Sequence, residues 1–485
     1  MHLAQKKFHQ LLSGRLWIRV AFFLTLSYWF YLMCTVEMLI LDDAIGYESL
    51  GKLIYQSGWK EYLTTGPHRE PLYPFLVALS MSLADKFHVS YQSVQILAQF
   101  ALLFLTQWLV FSVLRKLRVR DTITALTILY LGFSPAMTNS ALRLYSEILT
   151  FPLVLGIIVH SENLWSDIYS GKTFRFSQGA VLAVFFLLLT LIKGIFELIT
   201  PIFLLLLIMC LWKSFLKQDK HVRKQLILFL ALFMMVYFVP VNLYKAASKQ
   251  FNGQYTLTDR GPWALYGNTA RRTEPLGGRQ FLIALSYVPG WGTCHAFFGP
   301  QACAYWSYTE SDKLGAAKRE ELKQKYPAHQ EQANRQLIAL SVQKALHNPL
   351  QYALFASLEG LKLVFWDSVA MAHAIYPEDV MRVYDITALK LAVFFVIPIV
   401  TMTAIGSAIF SLWRNRHKIF TQTDNTSLIL IILLFLLIYI SCHAIFYVDP
   451  RYSFSLAPLY LILIANMFHR LTARPHHPPI GTNTG

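Results

Sequence analysis

The sequence predicts an all-α polytopic membrane protein with about ten transmembrane helices, two external loop regions and a small external α-rich domain. Of its 485 residues, 55% are hydrophobic and only 14% are charged, and the mean hydropathy is +0.43. Several apolar runs reach the ~20 residues that a helix needs to cross the hydrocarbon core of a bilayer. These runs are continuous rather than alternating, which disfavours a transmembrane β-barrel.

The charge balance fits a membrane protein better than a nucleic-acid-binding one. Lys and Arg number 43 against 27 acidic residues, for a net charge of +16. Positive residues collect beside membrane spans on the cytoplasmic side, so this excess needs no nucleic-acid partner. Five cysteines are too few for a disulfide scaffold. The basic N-terminus leads into an apolar run with no small-residue cleavage site, so we expect a retained first span.

The apolar runs and basic clusters together predict the topology. We expect strong spans at residues 16–40, 91–114, 177–192, 194–213, 225–243, 388–412, 427–447 and 453–470, with weaker ones near 121–135 and 141–160. Four basic clusters lie before the first span, after the second, between the sixth and seventh, and between the eighth and ninth. They are Lys6 to Arg19, Arg115 to Arg120, Lys213 to Lys224, and Arg414 to Lys418. If all four are cytoplasmic, the ten spans alternate without conflict. We therefore expect a multi-pass cell (inner) membrane protein with both termini in the cytoplasm.

The same pattern divides the chain into four parts. Residues 1–243 form a transmembrane module that includes an external loop at 42–90. The apolar segment Pro71 to Ala84 has only 14 residues, so we expect it to lie in the interface or re-enter. We expect residues 244–387 to form the external domain with an interfacial amphipathic helix at 350–367, residues 388–470 to form the C-terminal spans, and residues 471–485 to be a disordered tail.

Several ionisable residues fall at the outer ends of the predicted spans. They are Asp42, Asp43, Arg143, Glu147, Lys193, Asp449 and Arg451. Ionisable groups at membrane depth are functional candidates by default, and one membrane face could assemble these into a single outward-facing cavity. Simpler interpretations stay open for each. The two aspartates could mark a helix boundary, Arg143 with Glu147 and Lys193 with Glu197 could be i,i+4 pairs, and Arg451 could extend to the interface.

Other signals are weak. Cys294 and Cys303 could form a disulfide in an oxidising compartment, or be two free thiols. Arg271 and Arg272 could bind a phosphate, or simply be solvated in a loop. The sequence has no P-loop, no G-x-G-x-x-G fingerprint and no nucleophile elbow, which disfavours an ATP-driven pump within this chain.

The stretch DDAIGYESLGKLIYQSGW, followed by PHREPLYPFLVAL, resembles the first external loop of C-type (GT-C) glycosyltransferases that use polyprenyl-phosphate sugars. These enzymes are the relatives of protein O-mannosyltransferases and of the lipid A aminoarabinose transferase. Further segments resemble the family in the same order: SPAMTNSALRLYSEILTFPLVLG, LLLTLIKGIFELITPIFLLLL, HNPLQYALFASLEGLKLVFW and YVDPRYSFSLAPLYLILIA. The resemblance covers most of residues 16–470 and is weakest across 246–345. It departs from the family pattern where the usual second acid is Ala44.

The resemblance implies a role for each candidate residue. Asp43 would be the general base, and Glu147, the second catalytic carboxylate, would orient the acceptor or support Asp43. Arg69, Lys193 and Arg451 would bind the donor phosphate, with Lys193 standing where Arg is commoner. The substrate-binding residues would be Asp42, Tyr47, Glu70, Tyr73, Arg143 and Tyr452.

These residue types suit glycosyl transfer on the outer face of the membrane. A carboxylate can take the proton of an attacking hydroxyl, and Arg or Lys can stabilise a leaving phosphate. The expected partners are a polyprenyl-phosphate-linked sugar donor, a glycan, lipid or protein acceptor, and membrane lipid. We expect no cofactor, although a divalent metal is not excluded. The alternatives are a lipid-linked glycan flippase, polymerase or ligase, or a scaffold with a degenerate site. A transporter should show internal repeats, and the sequence shows none.

Overall fold

The structure is a computed structural model that describes residues 2–169, 177–217, 220–274, 277–326, 330–368, 373–416 and 426–472. The expected tail at 471–485 lies outside these residues from position 473 onward.

The first half of the chain is a series of ten helices. They are α1 (His2–Thr35), α2 (Asp43–Thr65), α3 (Leu72–Phe87), α4 (Tyr91–Lys116), α5 (Asp121–Phe133), α6 (Pro135–Leu142), α7 (Glu147–Tyr169), α8 (Ser177–Ile192), α9 (Phe196–Lys217) and α10 (Lys220–Asn252). Helix α2 is kinked at Gly58, whose φ of 82° is costly for any residue with a Cβ. Helix α10 continues through the module boundary that we placed after residue 243.

The second half contains shorter helices followed by apolar ones. They are α11 (Arg260–Thr273), α12 (Gly278–Ser286), α13 (Trp291–Ala304), α14 (Tyr308–Lys325), α15 (Gln330–His347), α16 (Pro349–Leu361), α17 (Glu378–Tyr384), α18 (Thr387–Leu391), α19 (Ile397–Arg414), α20 (Thr426–Phe446) and α21 (Ala457–Thr472). A 3₁₀ segment, Pro450–Leu456, joins α20 to α21. A short antiparallel ladder pairs Glu37–Met38 (β1) with Ala374–Ile375 (β2), an addition to the predicted all-α fold.

The expectation of an all-α membrane protein is confirmed. Among the described residues, seven helical segments are long and apolar enough to span a bilayer: Gly14–Thr35, Tyr91–Lys116, Glu147–Tyr169, Arg223–Asn252, Thr387–Arg414, Thr426–Phe446 and Pro450–Thr472. The other three predicted spans correspond to shorter apolar helices, Asp121–Phe133, Ser177–Ile192 and Phe196–Leu211. Helix α3, which we predicted not to span, has 16 residues and is not among the candidate spans.

Burial separates inner helices from outer ones. Helices α7, α20 and α21 bury most of their residues, whereas α1, α10 and α19 leave large apolar side chains exposed along their lengths. An apolar helix surface that no other helix covers is what a lipid environment requires. Helix α7 is the most buried of these helices, and it contacts α4, α8, α9, α20 and α21.

The residues between α10 and α17 form a cluster of helices with a close contact at its centre. Helices α11 and α14 meet at Gly267 and Gly315. A Cβ on Gly267 would lie 1.9 Å from the Ser311 carbonyl oxygen, and one on Gly315 would lie 2.2 Å from the Trp263 carbonyl oxygen. Only glycine allows the two backbones to approach so closely, so this contact fixes the relative position of the two helices.

A buried ionic cluster joins α11 to α16. Glu359 accepts hydrogen bonds from Arg271 and Arg272, and Lys362 lies 3.4 Å from the same carboxylate. All four side chains are buried. Neither interpretation offered for the two arginines, a phosphate site or a solvated loop, is correct, because both are engaged inside the protein. Burial lowers the pKa of Lys362 to about 8, although Glu359 partly offsets this effect.

A disulfide joins Cys294 to Cys303 within α13, the first of the two interpretations considered for these residues. Both cysteines are buried in a small apolar cluster with Trp306 and Phe355, which connects α13 to α16. The ionic cluster joins α11 to α16, and this apolar cluster joins α13 to α16. Helix α16 is therefore the element to which both are anchored.

We predict that Gly267→Ala lowers the free energy of unfolding by about 1–3 kcal/mol, because the added methyl group would force α11 and α14 apart. The measurement is thermal unfolding of the purified protein in detergent. Gly278→Ala is the matched control, since a Cβ there meets nothing within 4 Å. Equal midpoints for the two variants would show that the close approach of α11 and α14 is unimportant.

Candidate functional site

Asp43 is the first residue of α2, and two arginines bind its carboxylate. The Arg69 guanidinium donates to Oδ1, and the Arg451 guanidinium donates to Oδ2. These three residues are far apart in sequence. Arg69 follows α2, in the connection to α3, and Arg451 lies in the 3₁₀ segment before α21. The fold thus brings together the predicted base and two of the three predicted phosphate ligands.

Tyr47 supports Arg69 from the same face of α2 as Asp43. Residues four apart lie one above the other on a helix, so Asp43 and Tyr47 point in a common direction. The Arg69 guanidinium carbon lies 4.6 Å from the centre of the Tyr47 ring, a cation–π contact. The Tyr47 hydroxyl shares a hydrogen bond of 3.1 Å with the Ser146 hydroxyl, immediately before α7. This contact ties the Asp43 region to the second predicted acid.

Glu147 begins α7 and is almost fully buried. Its Oε1 accepts from the Lys193 ammonium group at 2.7 Å and lies 3.7 Å from Nε of Arg451. Arg451 also lies 3.0 Å from the Asp449 carboxylate. Arg451 therefore contacts three carboxylates, and it links the Asp43 pair to the Glu147 pair in one ionic network.

The arginines determine the protonation state of Asp43. Burial raises the pKa of this carboxyl, but the charges of Arg451 and Arg69 outweigh that effect and hold the pKa well below its usual range. Asp43 is thus ionised at any physiological pH. In this arrangement it is also a weak base, because two guanidinium groups stabilise its charge.

Arg69, Lys193 and Arg451 of the network line a cavity of about 490 Å³, whereas the two carboxylates that they bind, Asp43 and Glu147, are not among its lining residues. Its walls include Arg69 and Lys193 from the network, with Tyr452, whose ring lies 4.9 Å from the Lys193 nitrogen. Glu70 also lines it and accepts a hydrogen bond of 2.7 Å from the Gly194 backbone N–H. The volume falls within the range of small-molecule sites.

Three of the predicted substrate-binding residues lie away from the cavity wall. The Asp42 side chain is 80% exposed and lies 3.7 Å from His373. Tyr73 is buried behind Tyr47, and its hydroxyl donates to Gln99 at 2.7 Å. Arg143 lies over the Tyr145 ring, at 5.8 Å from its centre.

The i,i+4 interpretations of the charged residues are not supported. Lys193 pairs with Glu147 rather than with Glu197, and Glu197 pairs with Lys245 instead. Arg143 lies in extended conformation after α6, whereas Glu147 opens α7, so the two residues are not neighbours on one helix.

The cavity has a further wall that the sequence did not lead us to expect. Arg260 and Trp263 from α11, Asp312 from α14, and Tyr447 after α20 all line it. Burial raises the pKa of Asp312 to about 6, although the Arg260 charge opposes this and the Asp449 charge adds to it. Three of these residues fall in the region where the resemblance is weakest, and no recognisable motif marks them.

Within the described ranges, no three His, Cys, Asp or Glu side chains form a group that could hold a metal ion. Comparison with models of known protein families and with curated proteins finds no match to this chain.

We predict that Lys193→Met lowers the free energy of unfolding by about 3–5 kcal/mol, because it leaves the buried Glu147 carboxylate without its nearest cation. Adding Glu147→Gln should restore part of this loss. The measurement is thermal or denaturant unfolding in detergent. Lys116→Met is the control, since that lysine pairs with Glu162 at the same 2.7 Å but is exposed. Its expected loss is about 1 kcal/mol or less. A Lys193 variant as stable as this control would contradict the prediction.

Proposed function

We propose that the protein is an integral-membrane glycosyltransferase that moves a sugar from a polyprenyl-phosphate donor to an acceptor hydroxyl on the outer face of the membrane. The observation that carries this proposal is the ionic network of Asp43 with Arg69 and Arg451. Two guanidinium groups that line a cavity both bind the Asp43 carboxylate, and a carboxylate with two such cations is the set of groups that the reaction needs.

The cavity walls suit a substrate that is part lipid and part phosphate. The polar side carries Arg69, Lys193 and Arg451, which can stabilise the charge that gathers on a leaving phosphate. Ile195, just before α9, and Leu198 from α9 form an apolar side near them. A polyprenyl chain on the apolar side would leave its phosphate beside the cations.

The proposed reaction is a displacement at the anomeric carbon. The acceptor hydroxyl loses its proton to Asp43 as its oxygen forms the new bond to that carbon. The bond from the anomeric carbon to the phosphate oxygen breaks, and its electron pair leaves with the phosphate. Arg69 and Arg451 bind the departing anion. Glu147 holds Lys193 in position for the same task.

Donor binding would also activate the base. While both guanidinium groups bind Asp43, the low pKa of its carboxyl makes it a poor proton acceptor. A donor phosphate would compete for the same two arginines, and Asp43 would then lose part of its stabilisation. The pKa of the carboxyl would rise towards its ordinary value, and the base would become stronger only when a donor is bound.

The proposed topology has ten spans, with both termini in the cytoplasm of a cell (inner) membrane. It counts the three shorter apolar helices as spans alongside the seven longer segments. The cavity and the helices from α11 to α16 would then face the outside. The disulfide between Cys294 and Cys303 supports this side, because such bonds persist in oxidising compartments.

We predict that Asp43→Asn abolishes transfer, with a loss of about 10²–10⁴-fold, because an amide cannot accept the proton. The measurement is mass spectrometry of membrane glycolipids and glycans in cells that carry either the variant or the wild type. The variant should still fold and insert, although loss of the charge that Arg69 and Arg451 bind should lower its thermal stability.

Asp42→Asn is the matched control, since Asp42 is the neighbouring acid and its own side chain is 80% exposed. It should keep near-normal turnover. The reverse result would move the base by one residue, and normal turnover in both variants would overturn the proposed role of this acid.

A further inference from the structure

Two charged side chains in the cavity wall, Arg260 and Asp312, form no ion pair or hydrogen bond with any residue that the structure describes. Among the charged lining residues, Arg69, Lys193 and Arg451 belong to the ionic network, and Glu197 pairs with Lys245. Glu70 bonds the Gly194 backbone, as described above.

Arg260 and Asp312 differ from these. In the part of the chain that the structure describes, neither side chain makes an ion pair or hydrogen bond, and the Arg260 guanidinium carbon lies over the Trp263 ring, 5.9 Å from its centre. Both are partly withdrawn from solvent. A charged group in such a position loses hydration, and it gains a partner only if a ligand enters.

The two residues are held in fixed positions by the fold. Arg260 opens α11 and Asp312 lies in the first turn or two of α14. The glycine contact between Gly267 and Gly315 locks these helices against each other. An ion pair from Arg319 to Asp259 also joins α14 to the residue before Arg260. The wall is therefore preorganised rather than a pair of free surface charges.

We propose that Arg260 and Asp312 recognise the substrate headgroup, with Arg260 binding its phosphate and Asp312 accepting hydrogen bonds from hydroxyl or amine groups on its sugar ring. This inference rests on the proposed function and specifies the substrate class: a lipid-linked phosphosugar that presents an anion and several donors close together. Arg260 and Asp312 attract each other through their charges without forming an ion pair, so a ligand that carries both an anion and hydrogen-bond donors suits this wall.

Arg260 is also the cation that a phosphate would meet first. Arg69 and Arg451 are already bound to Asp43, so a new anion must displace a carboxylate to reach them. Arg260 is bound to no carboxylate within the described residues. The phosphate would dock on Arg260 and then exchange with Asp43 on the two network arginines.

The test is donor binding to the full protein in lipid nanodiscs. The probes are polyprenyl monophosphate, the same lipid carrying a phosphate-linked hexose, and inorganic phosphate. We expect Arg260→Gln to weaken both lipid probes by about 10–100-fold, because it removes a charge-assisted hydrogen bond. Asp312→Asn should weaken the hexose-bearing probe by about tenfold and leave the bare polyprenyl phosphate unchanged. Inorganic phosphate binding as tightly as the lipids would overturn the lipid-linked part of the assignment.

Asp312 also gives the binding a dependence on pH. The titratable and charged groups that influence the pKa of Asp312 come from several elements. They are Arg260 from α11, Asp43 from α2, Asp449 before the 3₁₀ segment, Arg451 within it, and Tyr447 after α20. Its carboxyl ionises near pH 6, so wild-type affinity for the hexose-bearing probe should fall as the pH drops through about 6. This dependence should disappear in Asp312→Asn, and a purely structural role would not produce that change.

Arg335→Gln and Asp385→Asn are the control variants, because both residues are exposed outside the cavity. Wild-type affinities in Arg260→Gln and Asp312→Asn would overturn the inference. That outcome is separable from failure of the proposed function, which depends on transfer by the Asp43 variant. Loss of transfer in Asp43→Asn with normal binding in the wall variants would refute this inference alone.

Discussion

The bonds from Arg69 and Arg451 to Asp43 are the interaction on which the rest of the site depends. A carboxylate buried near the membrane is costly unless cations meet it, and here the cations come from two distant parts of the chain. Arg451 then requires Asp449 and Glu147, and Glu147 requires Lys193. The network around this partly buried acid thus links the starts of α2 and α7, the connection between α8 and α9, and the 3₁₀ segment before α21.

The sequence was informative where the bilayer restricts the choice of residues. Long apolar runs permit only a few positions for the spans, so each predicted span coincides with an apolar helix. Asp43, Glu147, Lys193 and Arg451 stood out because ionisable residues are rare beside such runs, and all four belong to one network. Their mutual contacts could not be read from the sequence. Lys193 and Glu197 do not form the apparent i,i+4 pair. Lys193 pairs with a residue of α7, and Glu197 pairs with a residue of α10.

The sequence was least informative between α10 and α17, where water rather than lipid surrounds the chain in the proposed topology. Charged residues are common in such regions, so Arg260 and Asp312 resemble any surface pair. The sequence left Arg271 and Arg272 open as phosphate ligands or as solvated loop residues, yet they are buried with Glu359. The difference is that the Glu359 carboxylate on another helix binds Arg271 and Arg272, whereas no carboxylate among the described residues binds Arg260. That depends on tertiary contacts such as the approach of Gly267 to Ser311, which leaves no local signal in the sequence.

One wall of the cavity carries cations that are ion-paired within the protein, and the other carries Arg260 and Asp312, which form no ion pair among the described residues. If every cation were free, the repulsion among them would oppose folding, and Asp43 would have no reason to lie among them. If every cation were paired, an incoming phosphate would have to break an ion pair before it gained any contact. Arg260 removes that difficulty, because it offers a first contact at no cost in existing bonds. In the proposed mechanism, the ionic network remains closed without a substrate and opens by exchange once an anion has arrived, so that the base is strengthened only when its reaction partner is present.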